Sequence, residues 1–143
     1  MEGSLQPVDD PLRWRLRDPR AYDVQWMDDW MWARVLDVPA ALSARTYSAE
    51  GSVVFDVVDP VRPSGAACGR FQLDGGPDGA SCKPTDATAD ITLPVDALAT
   101  AWLGAVPFTT LGAAGRLAGD RPALLRADAL FRSTPLPFCN TPF

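Results

Sequence analysis

Histidine is missing altogether from this 143-residue chain. Its absence removes the Ser-His-Asp and Cys-His catalytic arrangements and every metal site built on an imidazole. Lysine is almost missing as well: Lys83 stands against twelve arginines. With the high alanine content, that skew fits a coding bias better than a function. Cysteines are few and odd in number, at Cys68, Cys82 and Cys139. Their spacing fits no zinc site, so they read as free thiols in a reducing compartment. Neither a GxGxxG nor a GxxxxGK[ST] loop occurs. The Gly-rich stretch Asp74-Gly-Gly-Pro-Asp-Gly79 has no helical pattern after it, and reads as a turn between strands rather than a phosphate cradle. No apolar run approaches the about 18 residues of a membrane span, and no secretion leader opens the chain. The expectation is a cytoplasmic protein with no membrane span. The net charge is −5 and no basic cluster is dense enough to neutralise phosphates, so nucleic acid is not an expected partner.

Hydrophobic residues make up 47% of the chain and charged residues 22%, enough for one packed domain with a tail. The organising stretch is Trp30-Met-Trp-Ala-Arg-Val-Leu-Asp-Val-Pro-Ala-Ala-Leu42. Alternation from Trp30 to Leu36 predicts a strand buried on both faces, with Arg34 as a charge to be paired by Asp37 or Asp56. Asp37 then caps a short helix with Pro39 in its first turn.

Before this stretch, residues 1–8 are polar, and are expected to be disordered or left from cloning. Asp9 to Arg17 reads as a helix with Leu12 and Leu16 on one face, and Tyr22, Val24 and Trp26 as a half-buried strand. After it come four strand patterns at Ser52–Asp59, Gly69–Asp74, Ala80–Lys83 and Asp90–Val95, expected to form an antiparallel meander. Three helices follow, at Val95–Gly104, Pro107–Leu117 and Arg121–Phe131. The tail from Thr134 to Phe143 carries three prolines in ten residues and cannot be helical. It is apolar for a terminus. Together these elements predict an α+β domain: a five-stranded, mostly antiparallel sheet with helices packed on one face.

Four segments carry a resemblance: Leu36-Asp-Val-Pro-Ala-Ala-Leu42, Gly75-Gly-Pro-Asp-Gly79, Asp90-Ile-Thr-Leu-Pro-Val95 and Leu111-Gly-Ala-Ala-Gly-Arg116. With the Trp-x-Arg motif ahead of the first, they resemble the C-terminal, sterol-carrier-protein-like domain of Eis (enhanced intracellular survival) type N-acetyltransferases of the GNAT superfamily. The resemblance covers about residues 10–143. It implies that residues 9–26 are the remnant of a preceding GNAT-like domain or a linker, and that 27–143 form the sterol-carrier-like domain. The chain is then either a piece of a larger enzyme or a stand-alone relative of the domain.

The same resemblance implies a function. Eis-type enzymes use acetyl-CoA, bound on a pyrophosphate loop that nothing here resembles, so no cofactor is expected in this chain itself. The family's general-acid tyrosine lies outside the matched region, and neither Tyr22 nor Tyr47 fits its context. Phe143 is the position that transfers: its C-terminal carboxylate would serve as general base in an active site completed by a GNAT domain of the same or another chain. The competing reading is that its ring merely packs. Trp30, Trp32 and Trp102 would line a lipid tunnel if the fold carries small hydrophobic ligands; otherwise they are core. The expected partners are therefore GNAT domains, a possible apolar ligand and a possible homo-oligomer. The adjacent acids Asp28 and Asp29 read as a solvated turn.

Overall fold

The computed structural model describes residues 6–27 and 31–139. The chain divides into two compact units, one of residues Met1–Trp32 with Thr134–Phe143, the other of Ala33–Ser133.

In the first unit, helix α1 is the single turn Leu12–Arg15, and a 3-10 turn follows at Pro19–Ala21. Asp10 Oδ1 accepts from Leu12 N at 2.6 Å, and Asp18 Oδ1 from Arg20 N at 3.0 Å, so each turn starts on an aspartate. The predicted helix from Asp9 to Arg17 is thus shortened to one turn. Its predicted apolar face is not buried, since Leu12 is exposed and Leu16 only half-buried. Tyr22, Val24 and Trp26 form no strand: residues 22–27 are in no regular element, and Val24 and Trp26 are exposed. Alternation there had no sheet to dock on. In the tail, Leu136 N donates to Asp9 Oδ2 at 3.1 Å.

The second unit holds the sheet. Helix α2 (Val38–Ser43) comes first, capped by Asp37, whose Oδ1 accepts from Ala40 N at 2.9 Å. Pro39 occupies the first turn, where its missing N–H costs nothing. Strands β1 (Gly51–Val58), β2 (Gly69–Gly76), β3 (Gly79–Pro84) and β4 (Ile91–Pro94) follow, and then α3 (Val95–Trp102), α4 (Phe108–Ala113), β5 (Ala118–Gly119) and α5 (Arg121–Phe131). The sheet order is β3-β2-β1-β4-β5, with every pairing antiparallel except β1–β4.

The alternation along each strand sets the faces. Val53, Phe55 and Val57 of β1 stand opposite Leu73 and Phe71 of β2 and Ile91 and Leu93 of β4, and all are buried. The intervening Ser52, Asp56, Gln72, Asp74 and Thr92 point the other way, to solvent or partial cover. Helices α2 to α5 supply Val38, Leu42, Leu98, Phe108, Leu124 and Phe131 to the buried side. The helices therefore all pack on one face of a five-stranded, mostly antiparallel sheet. The middle of the core is aromatic. Phe55 stacks on Phe108 at 5.7 Å between centroids, and Phe131 meets both edge-on at 6.0 and 4.9 Å. Each such ring contributes about 1.5–3 kcal/mol through burial.

Three expectations for this unit change. Residues 31–36 are not a strand, and the fifth strand is β5. Burial on both faces is expected of this stretch, but Met31, Trp32, Arg34 and Leu36 are exposed and only Val35 is buried, so no apolar face holds it in a sheet. Trp30 lies outside the described residues. Nor do the four middle strands form a meander, because β4 crosses back beside β1, parallel to it. Asp90 fixes that pairing: its N–H donates to Val54 O at 2.9 Å and its Oδ2 accepts from Val54 N at 2.8 Å. The position beyond β3 is taken by α2, whose Ser43 Oγ accepts from Cys82 N at 2.9 Å. The helix expected over Pro107–Leu117 stops at Ala113, and the two residues of β5 after it are too few to show a period.

Candidate functional site

Arg34 and Asp59 make one polar site of the second unit, the aspartate buried and the arginine partly open to solvent. Asp59 follows the end of β1 and is 1% exposed. Its carboxylate accepts from Arg34 Nη2 at 2.8 and 2.7 Å, from Val61 N at 3.0 Å and from Arg62 N at 3.1 Å. Burial opposes its ionisation, but the Arg62 and Val61 amides and the Arg34 guanidinium outweigh that and hold the carboxyl below its usual range. Arg34 is thus paired, but with Asp59 rather than Asp37 or Asp56. Asp37 is occupied as a cap, and Asp56 lies beside Arg70 across the β1–β2 ladder at 3.4 Å. Oδ1 accepts three of these bonds and Oδ2 the fourth, so the carboxylate ties Arg34 to the chain at residues 61 and 62. Cys68 belongs to the same corner, its Sγ accepting from Asp59 N at 2.9 Å.

Arg45 forms a second polar centre at the far end of α2. It donates to the carbonyls of Trp102 and Phe131, and its guanidinium lies over the Tyr47 and Phe131 rings. Burial pulls its pKa down from the usual guanidinium range. Tyr47 is buried, its hydroxyl donating to Leu42 O at 2.8 Å, and desolvation raises its pKa well above the ordinary phenol value. Such a phenol is a structural donor. Burial, with the charges of Asp37 and Asp74, pushes the Cys82 thiol up to about 11, which leaves it an inert core residue.

The residues singled out from sequence fall as follows. Phe143 and Trp30, like Asp28 and Asp29, lie outside the described residues. Trp32 is 89% exposed and belongs to the first unit, whereas Trp102 belongs to the second. Trp102 is half-buried against the core, with its indole N–H donating to Ala41 O at 3.3 Å. The fold therefore does not assemble Trp32 and Trp102 within one unit. Asp59 and Arg45 had no signal in the sequence beyond a charge near apolar residues. Pro60 after Asp59 marked a strand end and nothing more. Among the described residues no group of three His, Cys, Asp or Glu side chains is placed to hold a metal ion. No helix among them is long and apolar enough to cross a membrane. An open depression at the β2–β3 turn is lined by Glu50, Asp74, Asp78 and neighbouring glycines.

Comparison with known proteins gives the domain its family. A family model described as a sterol carrier protein domain matches residues 38–140. An uncharacterized N-acetyltransferase of Streptomyces avermitilis is 46% identical over 136 residues, covering 94% of this chain and 32% of that protein. The N-acetyltransferase Eis of Mycobacterium tuberculosis is 42% identical over 128 residues, 87% of this chain and 30% of its own length. The crystal structure of Eis1 from Mycobacterium abscessus superposes with a TM-score of 0.82 at 38% identity, over 96% of this chain and 34% of that one. The chain spans about a third of the length of these relatives. It belongs to the sterol carrier protein domain family, and is homologous to about a third of the length of Eis-type N-acetyltransferases.

Proposed function

We propose that this chain is the C-terminal, sterol-carrier-like module of an acetyl-CoA-dependent, Eis-type N-acetyltransferase. On this reading it is non-catalytic alone. It supplies a docking surface and the C-terminal carboxylate of Phe143 to an active site whose acetyl-CoA is held by GNAT domains of the same or another chain, in the cytoplasm and within an oligomer. Residues 9–26 would be the end of the preceding GNAT-like domain or its linker. The single observation that carries the proposal is the match of nearly the whole chain to about a third of the length of its N-acetyltransferase relatives. The polar groups described above fit it, since Asp59, Arg45 and Tyr47 all bond within the fold.

The chemistry asked of Phe143 is modest. A free α-carboxyl titrates at about 3.3–3.7 and is a weak base towards an ammonium. Enclosure in a cleft raises that value, and a water can relay the proton from the amine to the carboxylate. The test is to add one glycine after Phe143 in the full-length polypeptide, which moves the carboxylate by one residue. Acetyl transfer to an amine is expected to fall by about 10²–10⁴-fold, the usual worth of a positioned base. Unchanged turnover would remove the carboxylate from the mechanism.

A second reading follows from the family description itself: a carrier or sensor of small hydrophobic ligands, with Trp30, Trp32 and Trp102 as its lining. The mutual contact of Phe55, Phe108 and Phe131 between sheet and helices weighs against it. Titration of the chain with a fluorescent fatty acid tests it: saturable binding would favour the carrier, and no binding the module.

A further inference from the structure

Arg45 stands two residues past the end of α2 and is half-buried. Its Nη1 donates to Trp102 O, its Nη2 to Phe131 O at 3.1 Å, and its Nε to Thr46 O at 3.2 Å. The guanidinium lies 4.7 Å from the Tyr47 ring centre and 5.0 Å from that of Phe131. Trp102 is the last residue of α3, and Phe131 the last of α5. One cation therefore meets the partly negative C-terminal ends of two helices. The residues on either side of Phe131 are held from the same place. Ser48 N donates to Leu130 O at 3.0 Å, Ser48 Oγ donates to Arg132 O, and Ser133 N donates to Gly104 O at 3.3 Å. Thr134, next in the chain, begins the tail that leads to Phe143.

We propose that Arg45 is a positioning residue for the C-terminal tail. It ties the carbonyl ends of α3 and α5 together just ahead of the tail, and loosening that tie is expected to impair delivery of the Phe143 carboxylate. The second half of the proposal rests on the role given to that carboxylate above. The side chain suits the task. Two separate N–H groups reach two carbonyls while the flat face covers two rings; a lysine ammonium is a point donor with no such face. Charge at the helix ends is thus kept by Arg45→Lys, and geometry is lost.

The experiment compares Arg45→Lys with the unaltered full-length polypeptide and with the form extended by glycine after Phe143. Arg45→Lys is expected to melt within a few degrees of the parent. It should lower kcat by about tenfold to a hundredfold, the cost of misplacing a reacting group by an ångström or so, without changing the KM for acetyl-CoA. Hydrogen exchange of the same variant is expected to quicken at amides 132–139 and stay unchanged along the β1–β2 ladder. Should Arg45→Ala fail to fold, Arg45→Lys still carries the test. A glycine extension that lowers kcat beside an Arg45→Lys that does not would overturn the role in catalysis of Arg45 alone. If both leave kcat unchanged, the carboxylate reading fails, and exchange at 132–139 decides the rest: faster exchange keeps Arg45 as the tail's anchor, and unchanged exchange overturns it.

Discussion

Single residues hold this domain at places where no substitute fits. Gly104 has φ +84°, and a Cβ built there would lie 2.2 Å from Phe131 O and 2.8 Å from Ser133 N. Backbone stands in the way, so relief by a side-chain turn is not available. Gly104→Ala is expected to destabilise by at least about 2 kcal/mol in urea unfolding, from left-handed strain plus the collision. Asp59 gives a prediction in pH. Its folded carboxyl titrates below the ordinary value of about 3.9. The stability it contributes is therefore present above that value and is lost as pH falls through the lower, folded one. Asp59→Asn should be less stable than the parent at pH 7, with the gap narrowing below about pH 4 as the parent carboxyl protonates. Unfolding curves at pH 7 and pH 3 check it; a gap constant with pH would show that the charge is not what the site needs. The sequence showed that Arg34 wanted a partner and could not say which, because choosing Asp59 over Asp37 or Asp56 takes the position of β1 beside residues 33–36.

Among the elements, the ones legible in sequence start on their own residues. Helix α2 opens on Asp37 and α5 on Asp120, whose Oδ1 accepts from Ala123 N at 2.7 Å; each has a proline in its first turn, and α5 has the bounds its pattern predicts. Elements that depend on distant residues were illegible. Helix α4 begins after Pro107, which has no side-chain cap to give. Asp128 of α5 does that work from twenty residues away, accepting from Phe108 N and Thr109 N, and from Thr109 Oγ1 at 2.6 Å. Asp128→Ala leaves those donors without their partner, so it is expected to cost about 1–3 kcal/mol, against about 0.5–2 kcal/mol for Asp37→Ala. Hydrogen exchange at amides 108–113 distinguishes the two, quickening in Asp128→Ala only. The crossing of β4 to the side of β1 belongs to the same class. Strand periods are equal in a meander and in a crossover, and only Asp90 bonding both ways to Val54 and the cover of β3 by α2 choose between them.

At the scale of the whole molecule, a domain with a complete aromatic core has its buried charges spent on its own architecture. The family motifs were readable because Asp37-Val-Pro-Ala-Ala-Leu42 and the turn at Gly75–Gly79 are local patterns that fix a cap and a hairpin. The strand expected at residues 30–36 was misread because an alternating pattern does not show whether a sheet edge is there to pair with it; among residues 31–36 only Val35 is buried. Exposure at Trp14, Trp26 and Trp32 is consistent with a chain whose relatives are about three times its length. The central claim is that the chain completes an acetyltransferase and is not one. Acetyl transfer from acetyl-CoA to an amine, measured on the purified 143-residue chain alone and on the full-length polypeptide that contains it, tests that most directly. The account predicts transfer by the full-length polypeptide and none above the blank by the chain alone. Transfer by the isolated chain would contradict it.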